Sequence, residues 1–199
     1  MKKGKKIAGT SVVVAIVMTA IGYIGFKEKP NNSGFQDRTL ETYMRDIGWR
    51  SGDSWCVDFA KVCWYLSISN DTVRNLAMKL IVGNSQSTLA NFENYIKSTG
   101  IANPREQWFI ISDSAIVGSI VIWQHYKNGI PEWSGHAGIV DSVFKHRYYD
   151  FHTIEGNTND NGSSNGDRVL PKYRRYNYTA VNGLRTKKFI CINLKKYKP

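Results

Sequence analysis

The 199-residue chain is short of acidic residues and of cysteine. It also has no internal repeats and no low-complexity tract, which leaves an ordinary globular domain as the default. Sixteen Asp and Glu stand against 27 Lys and Arg, a formal charge of +11. A surplus of that kind suits an anionic partner. No nucleic-acid-binding motif accompanies it, so nucleic acid is not the partner expected. The three cysteines, Cys56, Cys63 and Cys191, cannot all pair with one another, so at least one thiol stays free in the monomer. The four histidines, at 125, 136, 146 and 152, show no H-E-x-x-H spacing, which argues against a zinc hydrolase. No cofactor and no metal are expected.

What the chain does have begins with lysine. Lys2, Lys3, Lys5 and Lys6 precede residues 7–26, which contain no charge at all. Twenty residues at about 1.5 Å each match the thickness of a bilayer core. The lysines would hold the N-terminus inside and send the rest across. Two readings of residues 1–26 compete, a retained transmembrane anchor and a cleaved signal peptide with Ala20-Ile21-Gly22 as its cleavage site. The length of the run favours the anchor, and both readings put the remainder outside the cytoplasm. Residues 27–38 are polar, with Pro30, Asn31, Asn32, Ser33 and Gly34, and read as a linker. Residues 39–199 form the domain. The first thirty residues hold six Lys and one Glu, so about half of the +11 charge, +6, stays with the domain. That remainder fits an extracytoplasmic polymer carrying phosphate or carboxylate, such as a cell wall. The plainer alternative is that Lys187, Lys188, Lys195, Lys196 and Lys198 are a solvated C-terminal edge. The oligomeric state is left open.

The domain reads as helices first and strands afterwards. A short helix is expected within residues 38–49, a second from about Trp55 capped by Asp53 or Ser54, a third over 72–80 capped by Asn70-Asp71, and a fourth over 88–97 capped by Ser87. After Pro104 come β-rich runs over 119–123, 137–143, 149–155, 168–176 and 189–194, separated by Gly, Asn and Asp. That order predicts an α+β domain with an antiparallel sheet.

Two stretches carry chemistry. In Trp55-Cys56-Val57-Asp58-Phe59-Ala60-Lys61-Val62-Cys63-Trp64 only Asp58 and Lys61 are charged, so the helix is expected to be buried nearly all round. Cys56 falls in its first turn, where free N–H groups and the macrodipole favour an anionic, nucleophilic thiolate. The blander reading makes Cys56 one more small core residue. Cys63, two turns on, should point into the core; Cys191 could pair with it, but two buried reduced thiols are the expectation. In the second stretch Gly135-His136-Ala137-Gly138 sets a histidine at a strand start, and Thr153-Ile154-Glu155-Gly156-Asn157 sets two polar residues about 7 Å apart on one strand face. Only one of Glu155 and Asn157 can bond a given imidazole nitrogen. A thiol at a helix start, an imidazole and a polar orienter are the parts of a cysteine hydrolase.

Trp55-Cys56-Val57-Asp58-Phe59-Ala60, Gly118-Ser119-Ile120-Val121-Ile122-Trp123, Gly135-His136-Ala137-Gly138-Ile139-Val140 and Ile154-Glu155-Gly156-Asn157-Thr158-Asn159, with Asn161-Gly162-Ser163 and Gly166-Asp167, resemble a CHAP domain over roughly residues 39–194. Ser119 departs from the Asp often found there. The resemblance implies a papain-like fold, with the cysteine helix packed on an antiparallel sheet that carries the histidine. It implies hydrolysis of an amide in peptidoglycan, at the muramoyl–L-alanine bond or within the peptide. Carried over, Cys56 is the nucleophile, His136 the base and then acid, Glu155 the orienter of His136 and Asn157 a further polar member. Trp55 and Trp133, the latter on a loop over 124–134, are expected to line the substrate groove. Asn157, Asn159, Asn161 and Gly162 mimic the start of a calcium loop, but Arg168 stands where the bidentate Glu is needed, so calcium is not expected. Two other readings remain: an inactive wall-binding module, and an effector amidase acting on an amide outside the wall.

Overall fold

The structure is a computed structural model and describes residues 11–101, 103, 106–144, 150–159 and 166–197. The lysine cluster, His146 and the glycine-rich stretch at 160–165 lie outside the described residues. Five helices come first: α1 (Val12–Gly22), α2 (Arg38–Asp46), α3 (Cys56–Ser67), α4 (Asp71–Leu80) and α5 (Ser85–Ser98). Six strands follow: β1 (Phe109–Ser112), β2 (Ile120–Lys127), β3 (Ile130–Val143), β4 (Asp150–Thr158), β5 (Arg168–Arg175) and β6 (Leu184–Ile192). They form one sheet in the order β1-β6-β2-β3-β4-β5, antiparallel at every pairing. This is the α+β architecture expected of a papain-like fold.

The helix starts follow their capping residues. The side chains of Asp37, Asn70 and Asn84 accept from the backbone N–H groups of Leu40, Val73 and Ser87. Asn84 rather than Ser87 therefore opens α5, and Gly100 follows its end at φ +60. The expected loop over 124–134 is instead the end of a long β2–β3 hairpin. Its turn is Asn128-Gly129, with φ of +51° and +77°. That pair of positive angles suits a tight two-residue hairpin turn.

Residues alternate across the sheet into two cores. Ile120, Ile122, Ala137, Ile139, Ile154 and Ile190 pack with the helices. Val121, Trp123, Val140, Phe151, Phe189 and Cys191 build a second cluster behind the sheet. Because both faces are covered, the strand centres are continuously apolar rather than alternating. Cys63 belongs to the first core and Cys191 to the second, so the sheet stands between them and both thiols are free. Helix α3 lies directly on β4, where a Cβ on Gly156 would come within 2.5 Å of the Trp55 ring and 2.6 Å of Phe59.

The N-terminal segment departs from expectation. Among the described residues no helix is long and apolar enough to cross a membrane. The apolar run forms an 11-residue helix instead, with Val12, Ile16 and Ala20 buried at a spacing of four. It packs on α3 and β3; Val13 nests against Gly118, and the Thr19 and Ser67 hydroxyls pair at 3.0 Å. The apolarity of this stretch thus serves the domain core, while Val14, Met18 and Ile21 stay exposed on the outer side. Residues 27–37 do not hang free as a linker either. Gly25 and Glu28 donate to the carbonyls of Val169 and Asp167, and Val169 donates back to Phe26, which extends the sheet beyond β5. A 3-10 turn at Pro30–Asn32 then brings Phe35 down against Trp49 and Trp55, where it is fully buried.

Candidate active site

Cys56 is the first residue of α3, and its predecessor Trp55 is the N-cap. Neither Asp53 nor Ser54 caps the helix as expected, and Trp55 forms no side-chain cap, because its indole is committed to the core. The ring is fully buried between Phe35 and Phe59, and its N–H donates to Glu28. Asn32, with its amide nitrogen turned to the same carboxylate, donates to both oxygens at 2.8 and 2.6 Å. Trp55 therefore cannot line a substrate groove; it is a wall that fixes where the cysteine sits. The first helical bond is Phe59 N–H to the Trp55 carbonyl at 2.8 Å. The N–H groups of Cys56, Val57 and Asp58 precede that bond and have no intrahelical acceptor, the ordinary state of a helix start.

His136 lies on β3 directly opposite Trp123 of β2, and the two rings stack at 5.7 Å and 26°. Its Nε2 meets Glu155 Oε2 at 2.9 Å, which leaves Nδ1 clear of that carboxylate, and Cys56 is near enough to act on the ring. Burial pulls the His136 pKa down, but the charge of Cys56, its hydrogen bond and then Glu155 outweigh burial and push it up to about 9. The imidazolium is thus the favoured form of His136 through neutral pH.

Glu155 is wholly buried. Burial alone would raise its pKa; hydrogen bonds from Arg174 and His136 overcome that and hold the carboxyl well below the usual range. Arg174 of β5 forks both oxygens, with Nε at 2.7 Å from Oε1 and Nη2 on Oε2. The Thr153 hydroxyl donates to Oε1. A Cβ on Gly138 would lie 2.7 Å from Glu155 Cγ, so this glycine on β3 makes room for the carboxylate.

Asn157 is not brought onto the imidazole. It sits where β4 slips out of register with β5, in a left-handed conformation at φ +53°, so the simple strand alternation expected through Glu155 breaks at this residue. It is 3% exposed, and its Oδ1 has no hydrogen-bond partner. Trp133, in contrast, stands 79% exposed on the hairpin, and its carbonyl accepts from Asn84 at the start of α5. Gln86 of α5 donates to the Trp123 carbonyl at 2.8 Å, tying the same helix start to the strand pair beside His136. His125 bonds Ser134 at 3.1 Å, and its pKa is lowered by burial and by nearby His136. Among the described residues no group of three or more His, Cys, Asp and Glu converges as metal ligands would.

Reasoning from sequence missed Arg174, Trp123, Thr153 and Glu28. Arg174 carried no usable signal, since only the β4–β5 register reveals that it reaches Glu155. Trp123 belongs to one of the motifs above, yet its stacking on His136 needs the β2–β3 register. The family model for the CHAP domain matches residues 48–157, a little more than half of the chain, and no curated protein matches it.

Proposed function

The chain belongs to the CHAP domain family, a class of amidohydrolases and peptidases of peptidoglycan, and from that premise we propose that it cuts a peptidoglycan amide through Cys56. The observation that carries this reading is the 2.9 Å bond from His136 Nε2 to Glu155, on a ring that also feels Cys56 at the start of α3. The Cys56 thiolate attacks the amide carbonyl carbon and forms a C–S bond, and the carbonyl electron pair moves onto oxygen. The N–H groups at the start of α3 lie beside the thiol and stabilise that oxyanion. The His136 imidazolium gives its proton to the amine nitrogen as the C–N bond breaks, leaving a thioester. Neutral His136 then takes a proton from water, hydroxide adds to the thioester, and the thiolate departs with the acid product. Glu155 keeps the ring in one orientation and supports its positive charge at both stages.

The scissile bond is the muramoyl–L-alanine amide or a peptide bond of the stem or cross-bridge, and exposed Trp133 offers a flat apolar platform for the polymer. The basic balance of the chain supports an anionic wall as the partner. We place the enzyme outside the cytoplasm, where that substrate lies, with the uncharged outer stripe of α1 toward the membrane. The deciding experiment is digestion of purified peptidoglycan followed by mass spectrometry of the fragments. Wild type is expected to release fragments with a new amine terminus, and Cys56→Ala to release none while melting at the same temperature. Release by Cys56→Ala would sink the thiol mechanism, and a wild type inert on wall but active on other amides would move the substrate elsewhere.

A further inference from the structure

Glu155 is an expensive residue to place where it stands. A carboxylate with no exposure loses its hydration, and the imidazole on one oxygen replaces only part of it. The remainder comes from Arg174, which lies beyond the stretch that matches the family. Its guanidinium binds both Glu155 oxygens in a fork, the geometry that fixes a carboxylate in a single orientation. The same guanidinium rests over the Trp123 ring at 5.2 Å, and Trp123 stacks on His136. Arg174 therefore supports the imidazole twice, at its Nε2 through Glu155 and at its ring face through Trp123.

Resting on the reading of Cys56 and His136 given above, we infer that Arg174 is a positioning residue of this site, holding Glu155 anionic and correctly turned so that His136 stays charged beside Cys56. The groups facing Glu155 are few. His136 comes from β3 and Arg174 from β5, and the Thr153 hydroxyl comes from β4 itself. Cys56 of α3 and His125 of β2 act on it only by way of His136. Lys172, the other β5 cation near Thr153, is turned to the Asn159 carbonyl. Arg174 is thus the permanent positive charge bound to this carboxylate. Removing it raises the proton affinity of every acidic group in the cluster, whichever member takes up the proton.

The first test reads the thiol directly and needs no wall substrate. Cys56 is alkylated with iodoacetamide across pH 4–9 and followed by intact mass; Cys63 and Cys191 are buried, and burial pushes both thiols up, Cys191 to about 12, so they stay silent. In Arg174→Gln the acid limb of the rate profile is expected to move upward by about one pH unit. Arg174→Lys, which keeps a cation, is expected to hold the limb at its wild-type place. A purely structural role for Arg174 would lower the rate by one factor at all pH values, so an unmoved limb in Arg174→Gln overturns the proposal. A limb displaced equally in both variants overturns it too. If the glutamine variant does not fold, Arg174→Lys decides alone: losing the fork should lower kcat for wall hydrolysis about ten-fold at an unmoved limb, and an unchanged kcat refutes the positioning role. A wild type with no acid limb below pH 8 would instead overturn the Cys56–His136 reading itself.

Discussion

Phe35 separates a free tether from an integral N-terminal segment more cleanly than any other residue. In a linker its replacement would change stability by less than about 0.5 kcal/mol, as surface changes do. In the structure the ring is fully buried, with centroids 5.0 Å from both Trp49 and Trp55. Phe→Ala at such a site costs about 3–5 kcal/mol, transfer and cavity together. For a chain of this size each kcal/mol lowers Tm by roughly 2–4 °C, so Phe35→Ala should melt about 6–20 °C below wild type. Far-UV circular dichroism on a thermal ramp measures this directly. Trp55 is the N-cap of α3, so the same substitution should loosen the seat of Cys56 and reduce activity even below its melting point. A truncation beginning at residue 38 should fare worse, since it also removes Val12, Ile16 and Ala20 from the core. A Tm for Phe35→Ala within about 2 °C of wild type would refute this account of the segment.

Three further outcomes follow from the site. Glu155→Gln keeps the shape but not the charge, and should cost roughly 10–10³ in kcat, whereas Asn157→Ala should cost less because it does not touch the imidazole; the reverse order at equal stability would exchange their roles. Wall hydrolysis should hold its rate up to a pH of about 9 and fall above it, as His136 loses its proton, and a decline setting in near pH 6.5 would show that Cys56 and Glu155 do not support the imidazolium. Asp58 is buried in the first turn of α3, and burial, opposed by Lys61, pushes its pKa up to about 6. Its native carboxyl therefore holds a proton that the unfolded chain releases. The stabilisation is complete below the unfolded value near 3.8 and disappears as pH rises through about 6, a loss of up to about 3 kcal/mol by neutrality. Asp58→Asn should thus gain stability over wild type between pH 4 and pH 7 in chemical denaturation, less whatever Lys61 loses with its partner, and no gain would contradict the burial argument.

The order of elements was legible because composition changes along the chain. Capping Asx residues punctuate the first hundred positions, and β-branched runs fill the second. The thiol, imidazole and carboxylate were legible because each is the expected chemical type at a helix start or on a strand. Trp55 misled because proximity to Cys56 in sequence says nothing about which way a side chain turns. The apolar run over 7–26 was ambiguous because length and lack of charge are common to a membrane span and to a helix buried along one stripe; among its described residues Val12, Ile16 and Ala20 meet the core at α3. The Asn128-Gly129 pair is a hairpin signal inside the stretch expected to be a loop. Strand β1 was missed because four residues, Phe109–Ser112, give too short a run for alternation to register.

The least legible feature, Arg174, follows from the chemistry of the buried Glu155 carboxylate. An Asn orienter brings no charge and needs none nearby. A buried Glu orienter strengthens the imidazolium through its charge, but it must be neutralised without diverting it from the histidine. The fork achieves both, because Arg174 takes one position on each oxygen and leaves Oε2 able to accept from Nε2. The Glu155 carboxylate and the Arg174 guanidinium then sum to zero. A cluster of zero net charge can sit at the junction of α3 and the sheet with little uncompensated field. Substituting both ends of the Glu155–Arg174 pair by a neutral Asn and an apolar residue should therefore cost less stability than removing either charge alone. Chemical denaturation of the two single variants and the double variant tests this, and a double variant less stable than both singles would show that the charges are not acting as one unit.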